Sequence, residues 1–330
     1  MPCHVRNKMN AQTDTRDVHE SEQIRALVGR TRIRELTIRS NVPGLAFMAA
    51  HFALIFSTGY LLSLSLGSWW VMPATFIHGI GVVYLFAPFH ETAHNTPFRS
   101  MWLNRTVGLI IGPVLGLLPH VFRYQHAEHH THTQVIGRDP QAIPMAETID
   151  GFLYYASSIP YFQYILTTLF RHLIGNFNAE ERRAVPESAF RTLRQEACIF
   201  GAIYLILLLG SIWFQSWVVL IYWLIPRIVA EPVERIIRMS EHVGCPRVGD
   251  ILFNTRTILT FAPMRWLSWN MAYHAEHHAI PLVPFHKLGK LHEVLHPHLG
   301  EMRESYIKTV QHMVRNGIEN SSKARNTTAT

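Results

Sequence analysis

Cysteine is nearly absent: the 330-residue chain has three, Cys3, Cys198 and Cys245, and no C-x-x-C pair. That excludes a disulfide framework, a zinc ribbon and a cysteine-ligated iron–sulfur centre. Charge is missing in blocks. No Asp, Glu, Lys or Arg occurs from Val42 to Phe89, and none from Ala197 to Pro226. Soluble cores do not require such bare runs, so both stretches read as membrane-spanning. No short apolar segment follows Met1, so no cleavable signal peptide is expected and the first span directs insertion itself. A G-x-G-x-x-G turn is also lacking, which leaves no dinucleotide fingerprint.

Positive charge is in excess, with 30 Lys and Arg and a formal charge of +7. Its placement decides what it means. Eight of these residues lie in residues 1–41, nine between His90 and Glu196, and thirteen from Arg227 onward. No basic nonamer and no RNA-binding aromatic pattern occurs among them, so nucleic acid is not an expected partner. The positive-inside rule explains the distribution if all three segments are cytoplasmic.

Residues 1–20 read as unstructured, and 21–41 as a surface helix with Ile24, Leu27, Ile33 and Leu36 near one face. Val42–Leu66 and Trp69–Phe89 are each long enough to cross ~30 Å of hydrocarbon. Gly67-Ser68 makes the turn, and Trp69 and Trp70 are interface anchors. Leu193–Pro226 would be about 50 Å long as one straight helix; its polar breaks at Gly210-Ser211 and Gln215-Ser216 divide it into two spans. Gly151–Phe170, with Pro160 and several tyrosines, suits the interface, and Thr106–Val121 is short enough to dip in and return. The expected fold is an all-α integral membrane protein: four transmembrane helices in two hairpins, both termini cytoplasmic, under a cytoplasmic helical cap. Residues 316–330 read as a disordered tail.

Histidine is abundant, with 21 in the chain. His90 and His94 stand at i, i+4 in HETAH. His126, His129 and His130 form HAEHH, and His274, His277 and His278 form a second, identical HAEHH. At 100° per residue, each HAEHH places its imidazoles at about 0°, 300° and 40°, which predicts that the three converge on one point. Eight imidazoles exceed what one tetrahedral zinc uses, so two metals are implied. Imidazole alone does not choose between iron, copper, nickel and zinc. Boxes one and two precede the last two spans and box three follows them, so an even number of crossings keeps all eight on one side. HETAH by itself also fits a zinc protease, with its Glu as general base. The repeated HAEHH would then have no use. His51 and His78 read as packed polar residues, Glu128 and Glu276 as residues behind the ligand arc, and Asp139 as an ordinary turn residue.

With these boxes in this order, the chain resembles the membrane fatty acid desaturase superfamily from about Val42 to His292. The stretch WNMAYHAEHHAIPLVPFHKLGKLH (269–292), with Glu241-His242 and Asn254-Thr255-Arg256-Thr257 upstream, is similar to its bacterial hydrocarbon-oxygenase-like branch. The resemblance implies a desaturase-like membrane domain over 42–315 after a cytoplasmic segment 1–41, and two Fe ions that use O2 to attack an unactivated C–H bond. It implies nine ligands, His90, His94, His126, His129, His130, His242, His274, His277 and His278, with His132 left out. The eight box histidines are the expected catalytic set. The expected reaction is desaturation of an acyl chain or similar aliphatic substrate. Its alternatives are hydroxylation of an alkane or lipid, desaturation of a small specialised metabolite, intramembrane zinc proteolysis and metal transport. Electrons must come from a separate carrier of the ferredoxin, rubredoxin or cytochrome b5 type. The expected location is the inner (cell) membrane, with the active site cytoplasmic. Arg238 stands four residues before His242, where acyl-CoA desaturases carry Asn, which argues against acyl-CoA.

Overall fold

A computed structural model describes residues 22–247 and 249–328. The expectation that residues 1–20 are unstructured lies outside the described residues. The chain is mostly helical, with one two-stranded parallel sheet in which β1 (Arg256–Ile258) pairs with β2 (Glu301–Arg303).

The uncharged stretches become the long helices. Ser40 caps α2 (Asn41–Ser65), its Oγ accepting from Val42 N. Gly67 then turns the chain in the left-handed region, into α3 (Val71–Val83) and on through Tyr84-Leu85 to α4 (Phe86–His94). Asn41–Ser65, Val71–His94 and Glu187–Trp213, the last containing α9 (Phe190–Trp213), are long and apolar enough to cross a membrane. Phe56, Ile206 and Trp213 stand outward on these helices, bare of protein cover. Helices apolar all round suit lipid, where the backbone must satisfy itself.

The second half of Leu193–Pro226 is built differently from the expected span, and among the described residues it is not one of the helices long and apolar enough to cross a membrane. After Trp213 the chain breaks at Gln215, whose φ is +50°, and a π-turn (Leu220–Leu224) leads straight into α10 (Ile225–His242). Pro226 has no N–H to give its preceding turn, which the π-turn absorbs. The helix therefore does not stop at Pro226. It carries Arg227, Glu231 and Arg235, in which one carboxylate pairs with both guanidinium groups: Glu231 lies 3.3 Å from Arg227 and 2.9 Å from Arg235. The fourth candidate is the bent pair α5 (Met101–Leu115) and α6 (Pro119–Thr131), which turns through 97° at Gly116. The bend brings box two, on α6, back against box one, on α4.

Gly151–Phe170 lies across α7 (Ile149–Ala156) and α8 (Ile159–Leu173), broken at Ser158 with φ +66°. Neither piece reaches the roughly 20 residues a span needs. Two expectations are corrected. The helix foreseen over 21–41 is split by Gly29, φ +80°, into 22–28 and α1 (Arg30–Leu36). Ile24, Val28 and Leu36 are buried with Phe285, Leu288 and Leu291 while Leu27 is exposed, so this segment packs on protein rather than presenting the face foreseen. The tail foreseen from 316 is helical to Thr328 within α13 (Tyr306–Thr328). Ser321 accepts from Ile149 N, and Asn320 donates to Glu147 O, ties that sequence polarity does not reveal.

Close helix approach sets the stage for the histidines. A Cβ on Gly79 of α3 would lie 2.1 Å from Pro226 O, so only glycine lets α10 pack so closely along α3. His51, bonded to Gly81 O at 2.8 Å, and His78, bonded to Thr58 and to Tyr222 O, tie α2, α3 and the start of α10 together. Both are packed polar residues, as the sequence indicated.

Candidate metal centre

Four helices deliver the histidines: α4 brings box one, α6 box two, α10 ends in His242, and the short α11 (His274–Ala279) is box three. The approach to α11 is pinned. Trp269 and Asn270 take left-handed backbone, Asn270 Nδ2 donates to Phe285 O, and the buried Trp269 ring packs 4.4 Å from Phe285. Arg256, fully buried, donates to Ser240 O and Val243 O and so closes the C-terminus of α10 around His242.

The nine histidines gather into two groups. His90, His94, His126, His130 and His277 each offer a ring nitrogen within 4.8 Å of the others, and His129, His242, His274 and His278 do the same. The expectation that each HAEHH converges on one point is therefore corrected. In box two the i and i+4 rings join the first group and the i+3 ring the second; in box three the roles are exchanged. An arc of about 100° leaves two rings on one side and turns the third toward a neighbouring centre. His132 is in neither group and lies 3.7 Å from Glu128 Oε2.

Four of the nine rings have their Nδ1 held by an acceptor, while Nδ1 of His90, His130, His274 and His277 has no hydrogen-bond partner. His129 Nδ1 donates to Asp139 Oδ1 at 2.9 Å, His126 Nδ1 to Gln141 Oε1 at 3.1 Å, His278 Nδ1 to Thr133 Oγ1 at 3.2 Å and His242 Nδ1 to Asn254 O at 3.4 Å. Each bond places the proton on Nδ1 and leaves Nε2 a bare lone pair facing inward. Asp139, read from sequence as an ordinary turn residue, is buried and also accepts from Gln134 N and Gln141 N. GRDP shortly after box two was the only available signal. Gln141 also receives Arg238, which pairs with Glu241 at 2.8 Å.

Electrostatics favour neutral rings. Burial holds His242, His274, His277 and His278 well below the usual histidine range, and neighbouring rings add to it. Burial also pushes Glu241, 3.5 Å from His274, up to about 7 against the pull of Arg238. Several inward nitrogens have no hydrogen-bond partner, among them Nε2 of His90, His94, His129 and His277. Buried lone pairs without donors are costly unless a cation takes them. Two all-imidazole sets suit divalent transition metals, iron included.

The acids inside the boxes stand behind the rings. Glu91 of HETAH is fully buried; its Oε2 accepts from Thr96 Oγ1 at 2.9 Å and Phe285 N at 3.3 Å. Its Oε1 lies 3.7 Å from His277 Nδ1, so the carboxylate braces a ring of the centre. Glu276 accepts from Thr257 Oγ1 and is bonded to His292, so it fixes α11 from behind.

The family profile described as Fatty acid desaturase matches residues 67–310. The chain is 26% identical over 238 residues to a sphingolipid delta(4)-desaturase DES1 of Drosophila melanogaster, covering 69% of this chain and 66% of that protein. It is 28% identical over 257 residues to a sphingolipid delta(4)-desaturase of Schizosaccharomyces pombe, covering 73% and 66%. With a fatty acid desaturase of Bacillus subtilis it shares 25% identity over 274 residues, 76% and 72% of the two chains. The chain thus spans 66% of the length of the first two relatives.

Proposed function

The chain belongs to the membrane fatty acid desaturase family, and from that premise we propose that it is a di-iron, dioxygen-dependent desaturase of a long aliphatic chain. The observation that carries the reading is the pair of buried, all-histidine groups side by side. We assign His90, His94, His126, His130 and His277 to one iron and His129, His242, His274 and His278 to the other. Two irons, when bound, supply reduction of dioxygen coupled to removal of hydrogen from saturated carbon. The protein's part is to hold neutral rings with Nε2 inward, through Asp139, Gln141, Thr133 and Asn254, and to keep water out by burial.

Desaturation takes two hydrogens from substrate and, with O2, two electrons and two protons, yields two waters. The sequence has no C-x-x-C pair and no G-x-G-x-x-G turn, and we assign the supply of electrons to a ferredoxin, rubredoxin or cytochrome b5 type carrier, drawn by the basic cytoplasmic surface. In the membrane, we place α2 with α3–α4, and α9 with α10, as two hairpins with residues 42–315 as the working domain. Both termini and the histidines then face the cytoplasm in a cell membrane. We assign the chain to the bacterial hydrocarbon-oxygenase-like branch, a reading supported by the pattern over 269–292.

The test is anaerobic purification, metal analysis and aerobic turnover with a reductant. Iron near two per chain, one for each histidine group, with a product lacking two hydrogens, is expected. A product that gains oxygen would make the enzyme a hydroxylase, and one zinc with peptide cleavage would overturn the reading.

A further inference from the structure

A cleft of about 340 Å³ lies between α4, α5 and α6, within the ~300–1,000 Å³ range of small-molecule sites. Its wall is shared with the metal centre: Phe122 lines it and also stacks on His126, ring centroids 5.0 Å apart and planes 14° apart. The lining has two kinds of side chain. Phe89, Phe122 and Leu109 are apolar, while Arg105, Arg123 and His120 are basic.

Most arginines near the core of this protein are paired with a carboxylate: Arg171 with Glu181, Arg227 and Arg235 with Glu231, Arg238 with Glu241. Arg105 and Arg123 differ. Both are exposed, and among the described residues neither has an ion-pair or hydrogen-bond partner. Among the described residues no carboxylate lines the cleft, and Glu196, beside its His120, is taken by that residue, accepting from its Nδ1 at 2.9 Å and its backbone N at 3.1 Å. Both guanidinium charges nevertheless act on His120, so the three basic side chains share one region of the cleft. Gly108 keeps the cleft open: a Cβ there would come 3.1 Å from Thr92 Oγ1. Two forked, unneutralised donors beside an apolar wall match an anion attached to a hydrocarbon chain.

We propose that this cleft binds the acyl substrate through an anionic head group, phosphate or carboxylate, paired with Arg105 and Arg123, its chain lying along Phe89 and Phe122 toward the histidines. This deepens the desaturase reading and rests on it. It also sets the substrate apart from the uncharged ceramides. Arg105 and Arg123 are positioning and specificity residues here, acting through the bound head group.

The experiment uses the purified, iron-loaded chain in detergent with four probes: dioleoylphosphatidylglycerol, palmitoyl-CoA, palmitate and an uncharged ceramide. Thermal stabilisation gives the half-saturating concentration of each probe, and turnover gives KM and kcat for those that react. In the Arg105→Gln/Arg123→Gln variant, half-saturation and KM for the anionic probe should rise at least about tenfold while kcat stays within about twofold. Arg105→Lys/Arg123→Lys should recover most of the loss, and Gly108→Val should weaken binding with both arginines present. An unaltered iron content and elution profile show the variants to be folded. Preference for phosphatidylglycerol identifies a membrane lipid as the source of the head group, and preference for palmitoyl-CoA a soluble carrier. Anionic probes unaffected by the glutamine pair, or ceramide binding as tightly as any anion, overturn the proposal. If charge-dependent binding holds but iron and turnover are absent, the desaturase reading fails and the anion site stands.

Discussion

His130 and His278 stack, with ring centroids 4.0 Å apart and planes 20° apart, although each belongs to a different histidine group. One comes from box two and the other from box three, so this contact is where the two centres meet. His130→Ala and His278→Ala should each lower turnover at least about 100-fold while the protein still reaches the membrane fraction. The double variant should lose little more than either single one, because residues acting as one unit are not additive. Near-normal turnover in either single variant would refute a shared centre.

Asp139 gives a partial loss that separates the groups. Among the described residues the histidine it bonds directly is His129, through Nδ1 at 2.9 Å, which belongs to the four-histidine group; it reaches His126 of the other group only through Gln141. Second-layer partners of this kind are worth about 10–100-fold in metal affinity. Asp139→Ala should therefore let iron fall from about two toward about one per chain under mild chelation, the five-histidine group keeping its ion. Equal loss from both groups, or none, contradicts the assignment.

The residues also show what a sequence can reveal. Boxes at i, i+3 and i+4, uncharged runs and Gly67 are local patterns, and each has a physical reading that survives folding. The sharing of each HAEHH between two groups is not local: it depends on how α4, α6, α10 and α11 cross, and so on contacts such as Gly79 against Pro226 O. Asp139 read as a turn residue, and Arg256 had no structural role in the sequence, because their partners, His129 and the end of α10, are brought to them by tertiary structure. The helix over 316–328 was missed for the same reason, since Asn320 and Ser321 find their partners at 147 and 149.

The pH dependence follows from burial. His242, His274, His277 and His278 are held below the ordinary value of 6.5, so the folded chain refuses protons that the unfolded chain accepts. The stability of metal-free protein should be level above about pH 6.5 and fall below it, by up to about 1.4 kcal/mol per ring per pH unit until the folded rings titrate. Bound iron competes with the same protons, so retention should weaken below about pH 6. Membranes washed with chelator across this range and assayed for iron make the check; iron unchanged at about pH 4 would mean that histidines are not the main ligands.

Topology is tested by cysteines at exposed positions. Ser68 and Gln215 lie at the turns after α2 and α9, and Ser188 and Ser322 lie among the basic segments; all four are exposed. Impermeant reagent outside intact cells should label Ser68→Cys and Gln215→Cys, and should reach Ser188→Cys and Ser322→Cys only after permeabilisation. Labelling of Ser188→Cys in intact cells would place α9 in the opposite orientation and break the four-crossing arrangement.

The sharpest test sets His242 against His132. Both are buried, and His132 is nearer in sequence to a box, so proximity along the chain favours the wrong residue. Geometry reverses the order. His242 Nε2 lies 3.1 Å from His274 Nε2, and its ring is 4.9 Å from each of His129, His274 and His278, so it completes the four-histidine group. His132 is the C-cap of α6, past the last helical turn, and its Nε2 lies beside Glu128. Loss of His242 would leave three rings in that group, and Arg256 would still close α10, so the fold should survive with one centre weakened. In membranes, His242→Ala should lose roughly one iron of two and at least about 100-fold in turnover, whereas His132→Ala should keep its iron and stay within about threefold of the parent. The opposite result, iron and activity lost with His132 and kept without His242, would mean that box two leaves its helix at Thr131 and that the ninth ligand comes from there.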